Sequence, residues 1–171
     1  MSQTAPLARI PVGVIVERRK ATSPWIEHVW RPVSVLTGQP EAAPWTTLAE
    51  EGDSVTFYAG AADIELYRSE TTYYRDNLAC GEPALWVVLR PTGAEPPYDL
   101  VTVTANPAEG EAMTEPGTDL VETVPMPEPI CAAVAAFVAE HHVEQVFFKR
   151  KRDSADPESL ARRGVVREDE P

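Results

Sequence analysis

Alternation of apolar and polar residues predicts the first strands of the chain. Apolar side chains occupy every second position from Ile10 to Val16, which is the period of a half-buried strand. The stretch from Trp25 to Leu36, WIEHVWRPVSVL, contains two tryptophans and three valines and predicts a second strand. Because Pro32 donates no ladder hydrogen bond, we expect this strand to lie at a sheet edge or to contain a bulge.

Two further alternating runs lie between residues 54 and 66. The first covers residues 54–59 and the second covers residues 62–66, with Gly60 and Ala61 between them. Two such runs around a glycine-containing connection are typical of a β-hairpin with one solvent-exposed face.

A continuous apolar segment, Ala84–Leu89, predicts a central strand that is buried on both faces. The alternating segment Tyr98–Ala105 is expected to pair with it in antiparallel fashion. The glycine- and proline-rich stretch 37–53 is predicted to be a loop, with Trp45 folded back on the core. The acidic, proline-rich segment 111–129 is predicted to wrap the surface.

Helix signals occur at three places. Ser69 can cap a short helix that runs to Leu78, and Asn106 can cap a brief second helix. A longer helix is predicted from Pro127 or Pro129 through Val143, since its apolar residues recur at spacings of three and four.

These elements predict one α+β domain over residues 1–148. Its sheet is expected to be mostly antiparallel, with about six strands curved into a partial barrel and covered by the C-terminal helix. A pleckstrin-homology-like barrel has this order of elements. Residues 149–171 contain no apolar stripe that could dock them, so they are predicted to form a mobile charged tail.

Charge is distributed unevenly along the chain, whose formal net charge is −12. Residues 1–148 contain 8 basic and 21 acidic side chains, a balance of −13, and residues 149–171 contain 7 and 6, a balance of +1. An acidic body repels phosphate backbones and anionic membranes, so we expect neither nucleic acid nor a membrane as partner. No apolar run approaches the roughly 20 residues of a membrane span, and no signal-peptide pattern is present, so a cytoplasmic location is expected.

The titratable side chains match no catalytic or metal-binding motif. His28 follows an acidic residue on a predicted strand, where adjacent side chains point to opposite faces, so a structural or surface role is favoured. His141 and His142 lie at a helix C-terminus, where capping is favoured. Cys80 and Cys131 lack C-x-x-C spacing and a nearby base, so we expect neither a metal, a cofactor nor a nucleophilic thiol.

Aromatic and arginine side chains offer a different chemistry, the anchoring of a protein partner. Arg31 is the one basic residue inside the apolar stretch, and a structural ion pair and a partner anchor both remain open for it. The basic run 149–152 is predicted to be either a solvated tail or a docking strip for an acidic partner. The predicted partner-binding residues are Trp30, Arg31, Tyr73, Tyr74, Lys149, Arg150, Lys151 and Arg152.

Several sequence blocks resemble an uncharacterised family of small alphaproteobacterial proteins. The resemblance covers residues 8–163, and its most specific elements are VGV-ERR, WRPV and the Y-x-x-N-L element at Tyr74 to Leu78. Members of that family are encoded beside genes for molybdenum- or tungsten-dependent formate dehydrogenases, together with another small protein.

The resemblance implies an accessory role. The leading interpretation is a non-enzymatic accessory or maturation protein that binds a formate dehydrogenase subunit or a maturation factor. One alternative is a small enzyme or carrier that acts on the pterin cofactor in a pocket between sheet and helix. Another is a small subunit of the mature oxidoreductase.

Overall fold

The computed structural model describes residues 4–115 and 117–143, which form seven strands and three α-helices. The strands are β1 (Ala8–Lys20), β2 (His28–Thr37), β3 (Thr46–Glu51), β4 (Ser54–Leu66), β5 (Ala84–Pro91), β6 (Tyr98–Thr104) and β7 (Leu120–Pro125). The helices are α1 (Thr71–Ala79), α2 (Pro107–Ala112) and α3 (Glu128–His141), and a 3₁₀ turn, Arg68–Glu70, precedes α1.

The strands form two antiparallel sheets, and the predicted α+β class with a C-terminal helix is confirmed. One sheet has the order β2-β1-β4-β3 and the other has the order β6-β5-β7. Within the described residues the sheets do not close into a barrel, so the expected single curved sheet of six strands is replaced by two open sheets. The central position of β5 and its antiparallel pairing with β6 are as predicted.

The predicted hairpin at residues 54–66 is wrong, because β4 is one continuous strand of 13 residues. Val14 of β1 pairs with Gly60 and Ile15 pairs with Tyr58, which leaves Ala59 as the extra residue of a β-bulge. Gly60 has φ 142°, a backbone conformation that favours glycine. The apolar residues of β4 have odd residue numbers before the bulge and even residue numbers after it. A turn would produce the same change in the pattern.

For β2, both structural expectations are confirmed. The strand lies at the edge of its sheet, and Ile15 pairs with Ser34 while Val16 pairs with Pro32, so Val33 is a bulged residue. The strand begins at His28, which leaves the first residues of the predicted strand in the β1–β2 connection.

Two predicted connections contain strands. The stretch 37–53 includes β3, all of whose residues are exposed, and the stretch 111–129 includes β7, which pairs with β5. A fully exposed strand has no apolar alternation to mark it, which is why β3 escapes a pattern-based prediction. Trp45 packs against the core as expected, with φ 67° at the residue before β3.

One hydrophobic core joins the inner faces of both sheets to α3. Buried side chains come from alternate positions of β1 and β5 and from one stripe of α3, as the two periodicities require. These side chains are Val12, Val14, Val16, Leu85, Val87, Leu89, Ile130, Val134 and Phe137.

The predicted helices are present with one change of cap. Asn106 Oδ1 accepts from the backbone N–H groups of Ala108 and Glu109, which is the expected cap of α2. Ser69 does not cap α1; it lies in the 3₁₀ turn, and Glu70 occupies the N-cap position. No helix in the described part of the chain is long and apolar enough to cross a membrane.

Candidate functional site

The connection between β1 and β2, residues 21–27, is an ordered turn that we call the hairpin tip. The backbone N–H of Ala21 donates to the carbonyl oxygen of Glu27 at 3.0 Å, and the N–H of Trp25 donates to Ser23 Oγ at 3.3 Å. The Trp25 side chain is 91% exposed. Because tryptophan is highly buried on average in folded proteins, an indole that a fixed turn holds in water is a candidate anchor for a partner.

The outer face of β1 and β2 extends this exposed surface. Val29 lies opposite Arg19 in the ladder, and Arg31 lies opposite Glu17, so these four side chains share one face. Val29 is exposed, as is Ile26 of the hairpin tip. We use the term hairpin surface for the set Arg19, Trp25, Ile26, Val29 and Arg31.

Arg31 makes the structural ion pair, which is one of the two roles that the sequence left open. Its Nε lies 3.5 Å from Glu17 Oε1, and the same oxygen lies 3.4 Å from Arg19 Nε, so one carboxylate serves two guanidinium groups. The Arg31 side chain is nevertheless 55% exposed. Since exposed ion pairs contribute little to stability, this pairing leaves Arg31 able to contact a partner.

Trp30 points to the opposite face of β2 and belongs to an aromatic cluster. Its ring centroid lies 5.7 Å from that of Phe57, 5.9 Å from that of Tyr98 and 6.0 Å from that of Trp45. The Arg18 guanidinium lies 5.6 Å from the centre of the Trp30 ring. Aromatic pairs and cation–π contacts of this geometry are stabilising, so Trp30 fixes the hairpin to the core behind the hairpin surface.

The two predicted tyrosines of α1 have different environments. Tyr73 is 46% exposed and can contact a partner, whereas Tyr74 is 1% exposed and belongs to the core. The Tyr74 hydroxyl accepts from the backbone N–H of Tyr67 at 3.1 Å and donates to Glu70 Oε2 at 2.8 Å. Burial raises the pKa of Tyr74, and the Glu70 carboxylate adds to the rise. In this conformation Tyr74 is therefore not available as a partner anchor.

Asn77 explains the remaining part of the Y-x-x-N-L element. Its Nδ2 donates to the carbonyl oxygens of Ala84 at 2.8 Å and Ala105 at 2.9 Å, and its Oδ1 accepts from the N–H of Ala84 at 3.1 Å. This buried amide joins α1 to the start of β5 and to the end of β6. The specific tyrosine and asparagine of the element are thus explained by packing and hydrogen bonding.

The histidines have structural partners on α1 and α3. The ring of His142 lies 3.0 Å from Thr71 Oγ1 through Nδ1 and 3.0 Å from Arg75 Nη1 through Nε2. These two contacts connect the C-cap residue of α3 to α1. The His141 ring packs against Phe137, with ring centroids 4.5 Å apart and ring planes inclined by 46°. His28 is half-buried on β2, opposite Lys20 in the ladder.

The cysteines lie far from the hairpin surface in the sequence and are free thiols. Cys80 is exposed, and Cys131 is half-buried with its thiol directed at the carbonyl oxygen of Met126 at 3.6 Å. Burial raises the pKa of the Cys131 thiol, which lowers its nucleophilicity at neutral pH. Within residues 4–115 and 117–143, no group of three histidine, cysteine or acidic side chains could hold a metal ion.

The predicted anchors are therefore divided by the structure. Arg31 and Tyr73 are exposed on different elements, Trp30 is half-buried, and Tyr74 is buried. The basic run 149–152 lies outside the described residues. Trp25 was not among the predicted anchors. The Ser-Pro pair directly before it is a turn signal, which indicates that the backbone of Trp25 lies in a turn.

Comparison with known proteins places the chain in a family. Residues 11–152 match the family described as Protein of unknown function (DUF3305). The chain belongs to that family. The DUF3305 match includes β1 from Pro11 onward, the whole hairpin tip and all three specific sequence elements, and it extends through the basic run 149–152. No curated protein and no solved structure matches the chain.

Proposed function

We propose that this protein is a non-enzymatic accessory or maturation protein that binds a component of a molybdenum- or tungsten-dependent formate dehydrogenase system in the cytoplasm. The sequence resemblance supplies the association with formate dehydrogenase genes. The hairpin surface supplies the physical support, and the single observation that carries the proposal is the exposed indole of Trp25, which lies on a hydrogen-bonded turn.

The energetics favour a binding role for this side chain over a folding role. An indole that is 91% exposed gains little from packing in the monomer, whereas burial of its apolar surface against a partner is favourable by about 25 cal/mol per Å². Tryptophan and arginine are enriched among the residues that dominate protein interfaces. Trp25 and Arg31 present both residue types on one hairpin, with Val29 between them in sequence.

Affinity capture from the native host tests the proposal. The tagged full-length chain, held in mild salt, is expected to retain a formate dehydrogenase subunit or a maturation factor of that enzyme. Recovery of no such component by mass spectrometry contradicts the proposal. Capture with the Tyr73→Ala variant and with a chain that ends at Phe148 tests the predicted anchors on α1 and in residues 149–152.

The same experiment separates an assembly factor from a subunit of the mature enzyme. A subunit copurifies with active dehydrogenase at a fixed stoichiometry, whereas an assembly factor is retained by the immature enzyme and is lost from the active one. Titration of the purified chain with the isolated pterin cofactor tests the carrier alternative, because a carrier binds that molecule without any protein partner.

A further inference from the structure

The positive charge of the acidic body is concentrated on the β1–β2 hairpin. Residues 17–31 contain four basic and two acidic side chains, a balance of +2. The rest of residues 1–148 contains four basic and 19 acidic side chains, a balance of −15. Three of the four basic residues, Arg19, Lys20 and Arg31, are exposed, so an acidic partner is repelled by most of the body and attracted to this hairpin.

The ion pairs of the hairpin leave this charge uncompensated. Arg19 and Arg31 share the single carboxylate of Glu17, and each guanidinium has five N–H donors, so one carboxylate satisfies only part of them. Lys20 extends the basic edge and makes no ion pair with any residue in the described ranges. The side chains of the two arginines are more than half exposed, so their free N–H groups can donate to further carboxylates.

The apolar residues of the hairpin surface are near these charges in the sequence, and Val29 is also next to one of them in the ladder. Trp25 and Ile26 protrude from the hairpin tip, and Val29 lies beside Arg19 on the same face. An exposed apolar centre with charged neighbours has the anatomy of an interface core and its polar rim.

From these observations we propose that the hairpin surface inserts into an apolar pocket with an acidic rim on a partner protein. Trp25 is the anchor that enters the pocket, and Arg19 and Arg31 pair with rim carboxylates. The inference rests on the proposed function for the identity of the partner, but its geometry and charge pattern do not depend on that identity.

Binding of matched variants to the purified immature formate dehydrogenase complex, with its maturation factors present, tests the inference. Trp25→Ala is expected to weaken binding by at least about 30-fold, the range of an interface hot spot. Arg31→Glu is expected to weaken it about tenfold at low salt, with a smaller effect at high salt, because the lost attraction is screened. The controls Leu48→Ala and Arg68→Glu change exposed side chains elsewhere and should stay within about twofold.

Each result separates the inference from the proposed function. If the complex binds and the Trp25 and Arg31 variants match the wild type, the hairpin inference is wrong and the proposed function stands. If the complex does not bind, the full-length chain with p-benzoylphenylalanine in place of Thr22, an exposed residue of the hairpin tip that is not an anchor, is irradiated in the native host. Crosslinking to an acidic segment of a different protein then supports the inference and contradicts the proposed function. Crosslinking to a second copy of this chain, or no crosslink, overturns the inference.

A membrane partner is tested separately with the purified chain. Cosedimentation with vesicles of phosphatidylglycerol and phosphatidylethanolamine that is lost in the Trp25→Ala variant would assign the hairpin surface to a lipid surface and overturn the inference. We expect the chain to remain in the supernatant, because its acidic body is repelled by anionic lipid.

Discussion

The Asn77 amide offers the sharpest test of how the scaffold is held together. Replacement by alanine removes three hydrogen bonds, two donated to the carbonyl oxygens of Ala84 and Ala105 and one accepted from the N–H of Ala84. The side chain is 4% exposed, so water cannot readily replace the amide at the site. At a net contribution of about 1 kcal/mol for each bond, the loss is about 3 kcal/mol.

Urea denaturation followed by circular dichroism measures this loss. With an unchanged m-value, the midpoint should fall by the amount that corresponds to about 3 kcal/mol, and Tm should fall by about 6 to 12 °C for a chain of this size. The neighbouring variant Asp76→Ala, which alters an exposed side chain of the same helix, should change stability by less than about 0.5 kcal/mol.

Asn77→Asp sharpens the same test. The aspartate keeps the acceptor for the Ala84 N–H but places a negative charge against two carbonyl oxygens, so at neutral pH it should destabilise at least as much as alanine. Acidification protonates the carboxyl group and restores one donor, so the defect should shrink as pH falls. A fall of less than about 1 kcal/mol in the free energy of unfolding of Asn77→Ala would show that these hydrogen bonds do not hold the scaffold together, since orphaned buried groups cost about 1 to 3 kcal/mol each.

Three further outcomes are expected from the structure. A Cβ on Gly110 would lie 2.1 Å from the Trp86 ring, so Gly110→Ala should destabilise by about 1 to 3 kcal/mol in the same urea assay, and an unchanged midpoint would show that α2 shifts freely. Trp30→Ala removes the centre of the aromatic cluster and should lower the free energy of unfolding by about 3 kcal/mol or more. A blue-shifted component of the tryptophan emission should also be lost. An unchanged stability would contradict the packing role of Trp30. The hydrogen bond that Tyr67 donates to Glu65 raises the pKa of Tyr67 to about 12 from its usual value of 10.0. The stabilisation that this hydrogen bond gives is therefore complete below pH 10.0 and is lost as pH rises through about 12. Ultraviolet titration of tyrosinate should show one residue with this late midpoint that becomes earlier in Glu65→Gln.

The strands that the sequence predicted well are those whose apolar residues are buried, at alternate positions in β1 and on both faces in β5. In β1 and β5 the apolar residues fall where the core requires them, so pattern and structure agree. The same pattern could not separate a turn from a bulge at Gly60, because each shifts the apolar parity by one residue. β3 has no buried side chain at all, and its existence depends on pairing with β4 rather than on its own composition.

The candidate site shows a similar division. Residue type alone favoured Trp30 and Tyr74 as anchors, yet both pack inward because neighbouring elements cover them. Which tryptophan of the stretch reaches solvent depends on where β2 begins, and that boundary is set by pairing between Lys20 and His28. The exposure of Trp25 is therefore a tertiary property that a local pattern does not contain.

The most direct test of the proposed hairpin interface is the affinity of the purified chain for the immature formate dehydrogenase complex with its maturation factors, compared between wild type and Trp25→Ala at equal fold stability. We expect the wild type to bind, and we expect the variant to unfold at the same urea concentration while its affinity falls by at least about 30-fold. Equal affinity of the two proteins, or no binding by the wild type, would contradict the proposal.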